Sequence, residues 1–142
     1  MYKRQDIYSQ FGYPIIKDQK MDIGPMGGIQ SSLEHVKTEG VVLLTCDMPL
    51  VQNDLLLALI GRLEEVDAVV PKDAQFIYPA CAVYKTAVLK QAVDHCIKQG
   101  VYKLKTLLKS MKVTYYSVSK EESKCLVNLN SPDDVLRLLN RQ

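Results

Sequence analysis

A chain of 142 residues with 18 basic and 16 acidic side chains carries a net charge of +2, which excludes the strongly one-signed surface of a basic nucleic-acid-binding arm. Hydrophobic residues make up 47% and charged residues 24%, the balance of an ordinary globular domain long enough to bury a core. No apolar run is long enough to cross a bilayer and the N-terminus lacks the apolar region of a secretory signal, so a single cytoplasmic domain with no membrane or nucleic-acid partner is expected.

In chain order, Tyr13–Lys17 (YPIIK) reads as a short strand ending at Asp18. The glycine-rich stretch Gly24-Pro25-Met26-Gly27-Gly28 leads into a helix through Ile29, Leu33 and Val36, closed by Gly40. Val41–Thr45 is a continuous apolar strand of the kind buried on both faces of a parallel sheet. A helix starting near Asn53 and Asp54 follows, with Leu55, Leu56, Leu59, Ile60 and Leu63 as its apolar stripe. Asp67–Pro71 and Ile77–Tyr84 are extended. Thr86 is placed to cap a helix whose inner face is Leu89, Ala92, Val93, Cys96 and Ile97, stopped by Gly100. A short helix over Leu104–Leu108, an edge strand over Val113–Val118 and a brief strand over Cys125–Val127 come next. Ser131-Pro132-Asp133-Asp134 then starts a last helix, on which Val135, Leu136, Leu138 and Leu139 pack inward. Strands alternating with helices predict an α/β sandwich with a mainly parallel sheet.

Cys46, Cys81, Cys96 and Cys125 form no C-x-x-C pair and sit in apolar settings, so buried reduced thiols are expected. His35 and His95 lack ligand-like neighbours, and His95, after Asp94 on the polar side of a helix, reads as solvated. From Lys85 to Lys124, nine lysines stand against Asp94, Glu121 and Glu122. That local excess suits either a phosphorylated ligand or a solvated surface.

The residues able to do chemistry fall where apolar strands end. Ligands of open α/β sheets bind outside the carboxyl ends of the strands, and Asp18, Asp47, Asn128 and Asn130 all occupy such positions. A carboxylate there suits magnesium, which is usually held by one or two carboxylates plus substrate phosphates. Alternatively Asp47 caps the helix after Pro49, although Asn53 and Asp54 are better placed to do so. Gly24, Gly27 and Gly28 permit either a tight turn or close approach of backbone to an anion at the helix N-terminus. Asn128 and Asn130, two residues apart, face the same way and can act as a pair or as turn residues. No Ser-His or Cys-His constellation is present.

Five blocks in order, "IIKD", "GPMGGIQSSL", "VVLLTCDMPLV", "YPACAVYKTAVL" and "LVNLNSPDDV", resemble the molybdenum cofactor guanylyltransferases of the nucleotidyltransferase superfamily. The likeness runs from about Asp6 to Leu139. It implies a Rossmann-like three-layer nucleotidyltransferase sandwich that transfers GMP from GTP to molybdopterin and releases pyrophosphate. Asp47 would bind Mg2+, Asp18 would contact the guanosine part, and Gly24, Gly27 and Gly28 would shape the nucleotide site. Asn128 and Asn130 would lie by the molybdopterin half, with Lys103 and Lys105 of "QGVYKLKTLL" near its phosphate. Proteins that deliver the cofactor, and acceptor molybdoenzymes, are the implied protein partners.

The chain departs from that pattern at its start. The family opens with a strand and a loop of the form L-A-G-G-x-S-x-R-M-G followed by a lysine, and nothing similar precedes Asp6. An asparagine usual shortly before this point is also absent. Tyr2-Lys3-Arg4-Gln5 back-translates to TATAAGAGACAG, the end of a sequencing adaptor, so residues 1–5 are expected to be adaptor-derived and 6–142 to form a domain lacking its first strand–helix unit. A CTP-dependent molybdenum cofactor cytidylyltransferase and a non-catalytic nucleotide-binding module are the alternatives.

Overall fold

The computed structural model describes residues 5–18 and 23–139. Of the five residues read as adaptor, 1–4 lie outside the described residues, and Gln5 opens a 3₁₀ turn, Gln5–Phe11, that leaves Tyr8 and Phe11 exposed.

Four strands, β1 (Gly40–Leu44), β2 (Ala68–Lys72), β3 (Cys81–Lys85) and β4 (Val113–Ser117), pair in the order β1-β3-β2-β4. β1, β2 and β4 run in one direction and β3 runs against them, so only the β2–β4 ladder is parallel. The sheet is therefore mixed rather than mainly parallel. Its cause lies in loop length: the chain turns back between Lys72 and Ile77, which form an antiparallel bridge. A parallel return needs a crossover of about a dozen residues or more.

Helices cover both faces, which makes the three layers. On one side α1 (Pro25–Leu33), α3 (Thr86–Lys98) and α4 (Leu104–Leu107) pack on Ala68, Val70, Ala82 and Tyr84. On the other, α2 (Asn53–Ile60) packs on Val69, Cys81 and Val83. Consecutive strand residues thus feed different cores, as the two-residue repeat of a strand requires. The Tyr84 hydroxyl, buried in the first core, donates to Pro79 O at 2.6 Å, which satisfies its polar end.

The expected inner face of α3 is buried at all five positions, and Gly100 takes φ 68 beyond its end, the left-handed conformation that glycine adopts without penalty. Thr86 does not cap α3. Lys85 is the N-cap, while the Thr86 N–H donates to Glu39 O and the Thr86 hydroxyl is buried without a partner among the described residues. Gly40 opens β1 instead of closing α1, which ends at Leu33. Ile60 and Leu136 are exposed rather than inward, and the side chains of Val135, Leu138 and Leu139 lie outside the described residues.

Three extended segments depart from expectation. Tyr13–Lys17 joins no sheet and Tyr13 is 79% exposed, because no neighbouring strand offers it hydrogen-bond partners. The Cys125–Val127 strand is replaced by α5 (Lys120–Cys125), nucleated by a capping box. Ser119 Oγ accepts from Glu122 N while the Glu122 carboxylate accepts from Ser119 N, a start signal that overrides strand propensity in so short a stretch. Finally, among the described residues β1 lies at the margin of the sheet and is not buried on both faces, with Val42 37% and Leu44 44% exposed.

Candidate functional site

The carboxyl ends of β1, β2 and β4 point to one edge of the molecule, and the polar positions singled out in the sequence gather there. Thr45 N donates to Ala80 O and Met48 N to Thr45 O, so the chain leaving β1 makes a tight turn that exposes Cys46 and half-buries Asp47. Met48 is buried against Leu59, Val66 and Leu126 and anchors the turn. Cys46 is thereby solvent-facing, contrary to expectation, whereas Cys81 and Cys96 are buried and Cys125 half-buried. Burial pushes the Cys81 thiol up to about 11, which keeps it an inert thiol.

Asp47 meets the asparagine segment directly. Leu129 N donates to Asp47 O at 2.8 Å, which fastens Asn128 and Asn130 beside the β1 turn with both side chains exposed and Leu129 half-buried between them. The segment is held from both sides. Upstream, Tyr116 Oη donates to Glu122 of the capping box at 2.9 Å, and α5 delivers Leu126 into the core. Downstream, α6 (Pro132–Leu139) starts as expected, with Asp134 Oδ2 accepting from Asn130 N, Ser131 N and Ser131 Oγ.

Asp47 Oδ1 and Thr45 Oγ1 are buried with no hydrogen-bond partner among the described residues. A buried polar atom left unpaired costs about 1–3 kcal/mol, more if charged. An acceptor held in that state beside a rim of exposed asparagines suits a cation or a ligand donor. Among the described residues no group of three or more His, Cys, Asp or Glu side chains gathers to hold a metal.

The glycine loop borders the same edge. Gly24 takes φ 61 at the N-cap of α1, a conformation that L side chains rarely adopt, and Pro25 occupies the first turn. Asp18 is half-buried against Gly28: a Cβ there would stand 3.4 Å from Asp18 Oδ1. Gly27 is buried in α1. Gly28, Thr45 and Leu104 line one cavity of about 330 Å³, and Lys103 and Lys105 flank Leu104 with exposed side chains at the start of α4. His95 is exposed, as expected, and so is His35.

Asp73 was not anticipated. Its carboxylate accepts from Gln75 N, Phe76 N and Tyr78 Oη at 2.7, 2.6 and 2.5 Å, which rigidifies the loop joining β2 to β3 at this same edge. The readable signal was aspartate opening a four-residue turn. The Tyr78 hydroxyl, then the two amides, hold the Asp73 carboxyl below its ordinary 3.8; partial burial and then Asp73 push Tyr78 up to about 12. A depressed carboxyl stabilises the fold above its ordinary value, and that stability is lost as pH falls through the folded value. Asp73→Asn is therefore expected to melt below the native chain at neutral pH, with the gap closing below pH 3.8. A gap that persists unchanged into strong acid would show that the carboxylate charge is not its source.

Helices on both faces of a sheet whose polar residues crowd one carboxyl edge define a three-layer α/β domain with a candidate binding edge. The chain matches the MobA-like NTP transferase domain over residues 2–114 and belongs to that family, which makes it a nucleotidyltransferase. It is 30% identical to a probable molybdenum cofactor guanylyltransferase of Clostridium perfringens over 95% of this chain and 71% of the relative. It is 33% identical to the molybdenum cofactor guanylyltransferase of Vibrio parahaemolyticus, covering 94% of this chain and 68% of that one. Among solved structures, the molybdopterin-guanine dinucleotide biosynthesis protein A of Archaeoglobus fulgidus superposes with a TM-score of 0.79 at 26% identity, over 96% of this chain and 73% of its own. A 2-C-methyl-D-erythritol 4-phosphate cytidylyltransferase of Thermus thermophilus shares the fold, with a TM-score of 0.63 at 16% identity over 82% of this chain and 69% of its own.

Proposed function

We propose that this domain, when completed by the amino-terminal loop of its family, transfers GMP from GTP to molybdopterin in the cytoplasm. The observation that carries this reading is the buried, unpartnered Asp47 Oδ1 at the carboxyl edge, with its own carbonyl tying down the Asn128–Asn130 segment. Family membership and the names of the relatives support it.

The reaction needs positioning more than covalent chemistry. A molybdopterin phosphate oxygen forms a bond to the α-phosphorus of GTP as the α–β phosphoanhydride bond breaks, and pyrophosphate leaves with the electron pair. Gly24, Gly27 and Gly28 allow the nucleotide close to the α1 N-terminus, and Asp18 accepts hydrogen bonds from the guanosine part. Asn128 and Asn130 orient the pterin half, and Lys103 and Lys105 attract its phosphate. Asp47 would hold Mg2+, which neutralises phosphate charge when bound. Cofactor-delivery proteins and acceptor molybdoenzymes complete the set of partners.

The chain by itself is proposed to bind GTP weakly and to transfer nothing, because its 142 residues contain no L-A-G-G-type triphosphate loop. The test joins it to the amino-terminal segment of a curated relative and assays GTP and CTP separately with molybdopterin and Mg2+. Product from GTP and not CTP in the joined protein, with none from the bare chain, is the expected result. A preference for CTP would instead identify a cytidylyltransferase. No product from either nucleotide, despite full folding, would point to a non-catalytic module.

A further inference from the structure

Val127, Asn128 and Asn130 are all exposed, so the asparagine segment takes its position from what lies on either side of it. α5, which leads into it, is six residues long and buries none of its side chains. A helix that short does not hold itself together in water, and without a buried apolar face it cannot fix its own orientation on the sheet. Its direction has to be set from outside.

Three side chains do this. At the end of β4, Tyr116 packs partly buried against the second core, and its Oη donates to Glu122 Oε1 at 2.9 Å. The other oxygen of the same carboxylate, Oε2, accepts from Ser119 N at 2.7 Å. One carboxylate thus grips both the strand and the first turn of the helix. The guanidinium of Arg62, just beyond α2, stands 4.8 Å from the centroid of the Tyr116 ring, a cation placed over an aromatic face. Arg62 is itself fixed, its Nη1 donating to Ala58 O at 2.6 Å. The Ser119 amide above all, then the Ser119 and Tyr116 hydroxyls and Arg62, hold the Glu122 carboxyl below its ordinary 4.5, so it remains a charged acceptor at neutral pH.

α2 carries Leu55 and Leu59, which share a core with Met48 of the Asp47 turn. Arg62, Tyr116 and Glu122 therefore join the helix that supports that turn to the helix that delivers the asparagines. Leu126 in the core and the Leu129 N–Asp47 O bond close the loop. We propose that these three are positioning residues that set where Asn128 and Asn130 meet the acceptor substrate, with no part in holding the nucleotide. The proposal rests on the reading of Asn128 and Asn130 as the molybdopterin side of the site. All three residues lie outside the five sequence blocks that resemble the guanylyltransferases, so no shared motif marks them.

Tyr116→Phe removes the hydroxyl and keeps the ring under Arg62. In the protein joined to a relative's amino-terminal segment, it is expected to raise KM for molybdopterin about tenfold, the scale of one hydrogen bond to a charged acceptor. KM for GTP and kcat should stay within about twofold of the native values. Glu122→Ala should do at least as much, and Glu122→Gln, which can keep one of the two bonds, should fall between. Adding Tyr116→Phe to Glu122→Ala should change nothing further, because the bond is already gone. An unchanged KM for molybdopterin would overturn the proposal, as would a rise in both KM values together with a lower melting temperature, the mark of a merely structural role. Hydrogen exchange on the chain as it stands separates this inference from the function reading. In Tyr116→Phe the Leu129 amide should exchange faster, while the Val83 amide in the middle of the sheet keeps its native rate. If the native joined protein makes no product, the function reading falls and exchange alone decides: a faster Leu129 amide upholds the positioning chain, and a native rate there overturns it.

Discussion

Asp47→Asn, made in the protein completed with a relative's amino-terminal segment, is expected to lower turnover about a hundredfold or more while leaving the melting temperature unchanged or raised. The two readouts have one origin. Among the described residues Asp47 Oδ1 is buried with no partner, so the carboxylate adds little to the fold and gains when a cation or ligand donor meets it. Asparagine keeps the shape, removes the charge and still leaves the backbone carbonyl to accept from Leu129 N. A residue that merely capped the following turn would behave in the opposite way, losing stability with little loss of turnover. Near-normal turnover together with a lower melting temperature would thus return Asp47 to a structural role.

Leu59→Ala is expected to cost about 2–5 kcal/mol, read as a fall in the urea midpoint. Domains of this kind are stabilised by only about 5–15 kcal/mol, so the loss removes a large part of the margin. Leu59 is fully buried, and it shares its core with Met48 and Leu126, the two side chains that anchor the Asp47 turn and the asparagine segment. The same variant should therefore loosen the site before the molecule unfolds globally, seen as faster exchange at the Leu129 amide. Leu57→Ala, on the exposed side of the same helix, is the control and should stay within about 0.5 kcal/mol of the native chain. Equal midpoints for Leu59→Ala and the native chain would mean that α2 is not what ties this edge to the sheet.

Much of the architecture was legible in the residues. The five inward positions of α3 follow from spacing alone, as does the start of α6 at Ser131-Pro132-Asp133-Asp134, since helical periodicity and capping are local properties. The candidate site residues were legible for a similar reason: Asp47 and the Asn128–Asn130 pair stand out as polar residues at the ends of apolar segments. Their meeting through Leu129 N and Asp47 O spans more than eighty residues of chain and was not legible.

What the residues by themselves determined is the set of elements with strong local signals and the types of group available for chemistry. Tertiary structure decided the rest, because strand pairing is a property of neighbours. It made β3 antiparallel through a short return, left Tyr13–Lys17 without a ladder, and set the fully apolar β1 at the margin of the sheet among the described residues. It also brought Asp73 and its loop to the carboxyl edge and left Asp47 Oδ1 without a partner among the described residues. An apolar strand reads the same from its residues whether it lies at the centre of a sheet or at its margin; only the presence or absence of a hydrogen-bonding neighbour distinguishes the two.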